Sequence, residues 1–332
     1  MDQKREFKYS SEVAIDMYLN KYQVLQQSDL EFFSKSQEVF AENNPCNIYF
    51  ILKRPRLSID PKKLLVNTNS IEIDYFIHIE DEKLKRTFII PNFYDEQHLK
   101  LVSLYPYNYF EIHDNNRKRG SFKLGALIHQ IQADCPIEEP LLDFEVLYIG
   151  KAYGKDGKRT AIERLNAHEK LQTIYSDAMN NNPDSEIWLM LANFTQNNIA
   201  TVNGRVKIPQ ENEAEDLNRF TNFINPDYLR FSEDQRIAFT EAALINCFKP
   251  EYNKEYKNSF PRRSHTTYEE CYSLDINAMV INVDTSDMNR WLYSVAKPRV
   301  KEVPKEFDFW QHEVFYFNNR QDRIQMFNND YI

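Results

Sequence analysis

The placement of glycine restricts the fold of this chain more than any other feature of its sequence. There are only six glycines in 332 residues, and Gly150, Gly154 and Gly157 fall close together. Glycine adopts backbone conformations closed to other residues and lets a second group approach the backbone closely. A chain otherwise so poor in glycine therefore predicts one special loop, at residues 150–157.

Regular elements are predicted on both sides of this loop. Phe144–Gly150 is an apolar run of strand length. Beyond the loop, Thr160 and Glu163 match a capping box, the pattern in which two side chains satisfy the first backbone N–H groups of a helix. We expect that helix to run to about Met179.

The same pattern is repeated further along. Residues 187–194 form a strongly apolar run that predicts a strand. Ser232 and Gln235 match a second capping box, which opens a helix through Phe248. The order strand, glycine loop, helix, strand, helix indicates a local α/β arrangement.

The rest of the chain divides by its local patterns. Residues 1–42 are amphipathic and contain neither Gly nor Pro, which predicts an N-terminal helical segment. Residues 43–133 contain β-branched and aromatic runs separated by turn formers, which predict a β-rich domain of unassigned role. Residues 134–258 hold the glycine loop, and 259–332 form a C-terminal extension. We therefore predict an α+β protein.

Several classes of protein are disfavoured by composition. No apolar run approaches the ~18 residues that a membrane span requires, and the polar N-terminus is not followed by an apolar stretch typical of a secretory signal. The four cysteines are scattered and include no closely spaced pair, so neither a disulfide framework nor a zinc knuckle is predicted. We expect a cytoplasmic protein.

Positive charge is concentrated in two segments of an acidic chain. The formal net charge is -9, yet residues 146–170 and 246–263 each carry +3. Both segments contain the motifs described next, so they are candidates for contact with a polyanion. The alternative is that Lys and Arg cluster by chance on solvated faces.

Two residues of the first predicted helix suit phosphate chemistry. Arg164 and His168 are four positions apart, so they share one face of that helix near its N-terminus. Backbone N–H groups, the helix dipole and an arginine all favour phosphate there, and histidine transfers protons near neutral pH. The alternative is two ordinary surface residues.

Glu241 is the candidate metal ligand of the second predicted helix. It lies within an otherwise almost wholly apolar run, residues 237–245. A carboxylate in such a helix either faces solvent or needs a cation. Mg²⁺ is commonly held by one or two protein carboxylates, with water and phosphate oxygens completing its coordination.

Together these pieces resemble the GIY-YIG nuclease superfamily. Leu147-Tyr148-Ile149-Gly150, the Arg164–His168 pair, Glu241 and a Pro250-x-Tyr252-Asn253 turn follow the order of that family's motifs. The resemblance covers about residues 140–255. It implies a small α/β/α layered domain with a central three-stranded sheet, and a metal-dependent endonuclease that uses Mg²⁺ or Mn²⁺. The implied partner is nucleic acid, with DNA favoured.

The resemblance also implies roles for individual residues. Tyr148 would position or deprotonate the attacking water, Arg164 would stabilise phosphate charge, and His168 would assist proton transfer. Glu241 would hold the metal, and Asn253 would support the site. The residues expected to contact nucleic acid are Lys151, Lys155, Lys158, Arg159 and Asn253.

One family motif is missing from its usual place. The first motif strand should read Gly-Ile-Tyr, but Cys135-Pro-Ile137 stands at the usual distance before Tyr148. We predict that Phe122–Gln132 is that strand, antiparallel to Phe144–Gly150, with Leu127 at the tyrosine position. The side chains that could substitute for the tyrosine are Tyr153, Tyr109 and His129.

Three other functions compete with an active nuclease. A nucleotide-hydrolase phosphate loop needs G-x-x-x-x-G-K-[ST], but Arg159 follows Gly157-Lys158 and Ala152 stands at the first glycine position. A degenerate nuclease domain would bind nucleic acid or a partner without cleavage. A protein-interaction module would suit the acidic remainder of the chain.

Overall fold

The computed structural model describes residues 6–30, 46–92, 98–131, 139–151, 169–223, 225, 231–261, 269–300, 309–317 and 321–327. Its strands in chain order are β1 Ser11–Leu25, β2 Ile48–Pro55, β3 Leu57–Val66, β4 Ser70–Ile79, β5 Glu82–Pro91, β6 Leu99–Val102, β7 Tyr109–Asp114, β8 Arg117–Lys123, β9 Phe144–Lys151, β10 Ser185–Val202, β11 Ala278–Asp284, β12 Leu292–Tyr293 and β13 Trp310–Tyr316. The α-helices are α1 Leu124–Gln130, α2 Glu169–Asn181, α3 Glu213–Phe223, α4 Glu233–Phe248 and α5 Glu269–Ser273.

The largest element is a curled, mixed sheet of seven strands in the order β12-β9-β2-β10-β1-β11-β13. Strand β2 lies between β9 and β10 and is antiparallel to both. Strand β1 pairs antiparallel with β10 and parallel with β11. The protein is thus a strand-rich α+β protein, and its main sheet contains strands from all four of the predicted segments.

Two small antiparallel sheets occupy the chain between β2 and β9. One has the order β3-β4-β5 and the other β6-β7-β8. They share one hydrophobic cluster with α1, in which Ile73, Phe110 and Ile128 are buried together. The two strands that flank this segment, β2 and β9, are nevertheless direct neighbours in the main sheet.

Helices α2 and α4 cover opposite faces of the main sheet. Alternate residues of a strand point to opposite faces, and β2 divides in this way. Phe50 packs with Leu244 of α4 in one hydrophobic cluster, while Tyr49 packs with Ile174 of α2 in another. The strands β9, β2 and β10 therefore lie between two helical layers.

The predicted N-terminal helix is wrong for residues 11–25, which form strand β1. This strand is central, and Val13, Ala14 and Ile15 are all buried. Burial on both faces removes the alternation of apolar and polar residues that identifies a strand at a sheet surface. The run therefore has the composition of an apolar helix without being one.

The strand predicted for Phe122–Gln132 is also wrong, because Leu124–Gln130 is helix α1. Its buried residues Leu124, Gly125 and Ile128 share one helical face. A Cβ on Gly125 would lie 2.8 Å from Arg54 Nη2, so the helix approaches the main sheet closely. Tertiary packing decides the conformation of this short apolar run.

Candidate functional site

Tyr49 and Tyr148 meet where β2 and β9 pair. Tyr49 lies directly opposite Gly150 in the antiparallel register, and Ile51 lies opposite Tyr148. The ring centroids of the two tyrosines are 6.1 Å apart with an interplanar angle of 34°. Tyr49 is fully buried, whereas Tyr148 is partly buried.

Gly150 is required by this close approach. A Cβ at this position would lie 2.8 Å from Tyr148 Cε1 and closer still to the Tyr49 hydroxyl. Any larger residue would displace one of the two rings. The prediction that the glycine loop contains a close contact is confirmed at Gly150. Gly154 and Gly157 lie outside the described residues.

Glu241 reaches the end of the same strand from α4. Its Oε1 accepts a hydrogen bond from the Lys151 backbone N–H at 3.1 Å, and its Oε2 is 3.5 Å from Lys151 Nζ. The carboxylate therefore faces the sheet rather than open solvent, with its side chain 13% exposed. Burial and the nearby carboxylates of Glu241 and Glu255 raise the pKa of Tyr256.

The helix that carries Glu241 begins as the sequence predicts. Ser232 Oγ accepts a hydrogen bond from Gln235 N, and Gln235 Oε1 accepts one from Ser232 N, which completes the capping box. Within the helix, Thr240 and Ala242 on either side of Glu241 are buried. The predicted helix through Phe248 is confirmed.

Asn253 and Tyr252 support β9 along its other edge. Asn253 Nδ2 donates to Ile149 O at 2.8 Å, and Asn253 Oδ1 accepts from Ile149 N at 2.9 Å. Tyr252 N donates to Leu147 O at 3.1 Å, and its hydroxyl donates to Asp177 Oδ2 on α2. Both polar atoms of the Asn253 side chain are used by the backbone of β9. This geometry suits a supporting residue rather than one that touches nucleic acid.

The other predicted site residues lie outside the described residues. These are Lys155, Lys158, Arg159, Arg164 and His168, together with Tyr153. Of the predicted group Tyr148, Arg164, His168 and Glu241, the structure therefore places two. Tyr148 packs on the α2 side of the sheet, and Glu241 comes from the helix on the opposite side to reach Lys151, three residues further on.

The partner of β9 differs from the predicted one. Its antiparallel neighbour is β2, not Phe122–Gln132, so Leu127 does not stand opposite Gly150. His129 lies on α1, where burial and the charges of Arg54 and Arg290 lower its pKa to about 4. Tyr109 lies on β7 of a small sheet. Neither residue takes the place of the missing tyrosine in the β2–β9 pair.

Tyr49 is a candidate site residue that sequence reasoning missed. The signal was present in Asn47-Ile48-Tyr49, which opens a predicted strand and differs from Gly-Ile-Tyr at one position. It was missed because the motif was sought at the usual distance before Tyr148. The two small sheets between β2 and β9 separate the two sequences along the chain but not in space.

Among the described residues, no group of three or more His, Cys, Asp or Glu side chains could hold a metal. Glu241 is the carboxylate at the end of β9, and one carboxylate is within the usual range for Mg²⁺. None of the helices in the described ranges is long and apolar enough to cross a membrane.

Comparisons with protein-family models, with curated proteins and with solved structures found no match.

Proposed function

We propose that this protein is a metal-dependent endonuclease that hydrolyses phosphodiester bonds in nucleic acid, with DNA the favoured substrate. The observation that carries the proposal is the antiparallel pairing of Ile48–Ile51 with Tyr148–Lys151, which places Tyr49 of Asn47-Ile48-Tyr49 opposite Gly150 of Tyr148-Ile149-Gly150. On this proposal, β2 would be the first motif strand that the GIY-YIG resemblance requires. The pairing also explains why the second motif needs a glycine, because a side chain at Gly150 would collide with both tyrosines.

The proposed fold of the nuclease core follows from the same pairing. Strands β9, β2 and β10 with helices α2 and α4 would form the GIY-YIG-like layered domain, continued into a wider sheet by β1, β11 and β13. The two small sheets would then be an insertion between its first and second strands. This proposal accounts for the unusual distance between the two motifs.

Each described residue has a part in the proposed chemistry. Tyr148 would orient the attacking water and the phosphate by hydrogen bonding, because phosphodiester hydrolysis depends mainly on positioning and charge stabilisation. The fully buried Tyr49 would act through Tyr148, whose ring it contacts. Glu241 would hold Mg²⁺ or Mn²⁺, which would supply charge stabilisation and help activate the water. Lys151 would be released from Glu241 to contact phosphate. Arg164 and His168 keep their proposed roles in charge stabilisation and proton transfer.

The proposal is tested by Glu241→Gln in a cleavage assay. We expect this variant to lose at least about 100-fold in cleavage rate on plasmid DNA with Mg²⁺ or Mn²⁺, as removal of a metal ligand should. Glu145→Gln is the matched control, because Glu145 of β9 also pairs with a lysine, Lys53 of the neighbouring strand β2, at 2.9 Å. Parallel reactions contain RNA or EDTA. Full activity of Glu241→Gln, or cleavage in EDTA, would contradict the assignment.

A second candidate function is a degenerate domain that binds nucleic acid without cleaving it. The observation that favours it is the Lys151 ammonium, which lies 3.5 Å from the Glu241 carboxylate where a metal would bind. Wild-type protein that binds DNA in a salt-dependent manner but leaves it intact with both metals would select this function.

A further inference from the structure

The sheet β6-β7-β8 leaves one face open to solvent. Phe110 and Ile112 of β7 point inward and are buried in the cluster shared with α1. Tyr109, directly before Phe110 in the alternation, points outward and is 41% exposed. Val102 at the end of β6 is equally exposed, so the outward face is partly apolar.

The loop from β6 to β7 adds the most exposed aromatic side chains to this face. Leu104 is 81% exposed and Tyr105 is 86% exposed, and Tyr107 is partly exposed beside them. The rings of Tyr105 and Tyr107 are 6.1 Å apart and nearly perpendicular. Single exposed apolar residues are common, but a contiguous group marks an interaction surface. We call residues 104–109 the tyrosine loop.

The tyrosine loop is held in place rather than extended into solvent. Tyr107 N donates to Leu104 O, and Tyr107 O accepts from Ile59 N of β3, both at 2.7 Å. Ser103 Oγ donates to Tyr109 O at 2.6 Å. Tyr107 has φ 64°, a left-handed conformation that is unfavourable for a bulky residue. Such strain persists where surrounding contacts enforce it, and it is enriched at ligand-binding sites.

The segment that contains this loop has an excess of basic residues. Residues 98–123 contain five Lys or Arg and two acidic residues, a net charge of +3 in a chain of -9. Arg117 and Lys118 are exposed on β8, where they lie opposite Asp114 and His113, at the other end of the β7–β8 hairpin from Tyr109. The two acidic residues are paired within the sheet, Glu111 with Lys118 and Asp114 with Arg119. A polyanion is therefore the occupant that the charge favours.

We propose that this face binds single-stranded nucleic acid, with bases stacked on Tyr105 and Tyr107 and phosphates held by Arg117 and Lys118. Exposed aromatic rings beside basic side chains are the features with which proteins hold single strands. In a duplex the base faces are stacked on each other and unavailable to a tyrosine. The inference rests on the proposed function in taking nucleic acid as the substrate. It adds a binding surface within the segment that separates Tyr49 from Tyr148.

The test is fluorescence anisotropy with labelled single-stranded and duplex oligonucleotides in low salt. We expect the single strand to bind more tightly than the duplex. Tyr105→Ala should weaken single-strand binding about 5-fold to 100-fold, the usual effect of losing one base–aromatic stack. Tyr105→Phe should bind like the wild type, and Tyr105→Leu should not. The matched control is Leu217→Ala, at an exposed apolar residue on α3.

The salt dependence gives an independent measure. The slope of log K against log salt is negative, and removing one phosphate contact from a single strand reduces its magnitude by about 0.7. We expect that reduction in Arg117→Ala and no change of slope in Tyr105→Ala. Tighter binding of the duplex, or unchanged single-strand binding in Tyr105→Ala, would overturn the inference.

The two proposals fail in different ways. Metal-dependent cleavage by a protein whose Tyr105→Ala variant binds normally would leave the endonuclease standing and remove this surface. Tyrosine-dependent binding of a single strand by a protein that cleaves nothing would do the opposite. Binding of wild type that is lost equally in Tyr105→Ala and Tyr105→Phe would show that the hydroxyl, not stacking, makes the contact, and would also overturn the inference.

Discussion

At Gly150 one hydrogen atom separates a close aromatic contact from a steric clash. A methyl group there would lie 2.8 Å from Tyr148 Cε1 and nearer still to the Tyr49 hydroxyl, closer than Cβ atoms come to other atoms in proteins. We expect Gly150→Ala to lower the free energy of unfolding by about 1–3 kcal/mol through overpacking. Cleavage should fall by more than the loss of folded protein explains, because both tyrosines must move. Chemical denaturation and the plasmid assay measure the two effects.

Gly204→Ala is the control for that substitution. No atom lies within 4 Å of the position that a Cβ on Gly204 would take. The change should therefore leave both stability and cleavage close to those of the wild type. If Gly150→Ala matched Gly204→Ala in both measurements, the contact between the tyrosines and Gly150 would contribute to neither stability nor cleavage.

The Glu241–Lys151 pair shows how the surroundings of one residue affect its proposed role. A buried carboxylate needs a cation or hydrogen bonds, and Lys151 supplies both, through its ammonium group and its backbone N–H. A divalent metal would compete with the ammonium but not with the N–H. The backbone hydrogen bond can therefore hold the carboxylate in place whether or not a metal is bound.

Strand β9 depends on an asparagine for part of its edge. Asn253 is buried, and its two hydrogen bonds satisfy both the N–H and the C=O of Ile149. Asn253→Ala would leave two buried backbone groups without partners, so we expect it to lower the free energy of unfolding by about 2–4 kcal/mol. Asn92→Ala, which removes an exposed hydrogen bond to Asn67 O, should cost less than about 1 kcal/mol. Similar losses in the two variants on urea denaturation would show that Asn253 does not support the strand.

Elements with a strong local signal were predictable from the sequence. The apolar run of β9, the strand at 187–194 within β10 and the capped helix α4 all match the structure, because their patterns depend on near neighbours in the chain. The sequence did not reveal β1, which is buried on both faces, or α1, whose conformation is set by packing against Arg54 and Trp188. In both, distant residues decide the structure.

The candidate site divides in the same way. Tyr148, Glu241 and Asn253 could be chosen from short motifs. Tyr148 lies on β9, and the side chains of Glu241 and Asn253 each accept a hydrogen bond from the backbone of that strand. Tyr49 was not chosen despite the near match in Asn47-Ile48-Tyr49, because its relation to Gly150 is a pairing between strands separated along the chain by two small sheets. A motif search assumes a typical spacing, and an insertion breaks that assumption without changing the geometry.

At the scale of the whole molecule, the main sheet joins segments that the sequence separates. Residues 134–258 contain β9 and β10, but these two strands are not neighbours. The strands that pair with them, β1, β2 and β12, all lie outside that segment. The proposed nuclease core therefore needs the chain before residue 134 for its central strand.

This connection predicts that the fragment 134–258 does not fold by itself. Both of its main-sheet strands would have exposed edges along their full length, and such edges promote aggregation. We expect no cooperative thermal unfolding of the fragment in circular dichroism. Coexpression of residues 1–133 with 134–332 restores every strand of the sheet, so these two pieces should purify as one complex with a cooperative transition. A cooperative transition in the isolated fragment would instead show that β9 and β10 fold without β2. It would contradict the proposal that β2 is the central strand of the nuclease core.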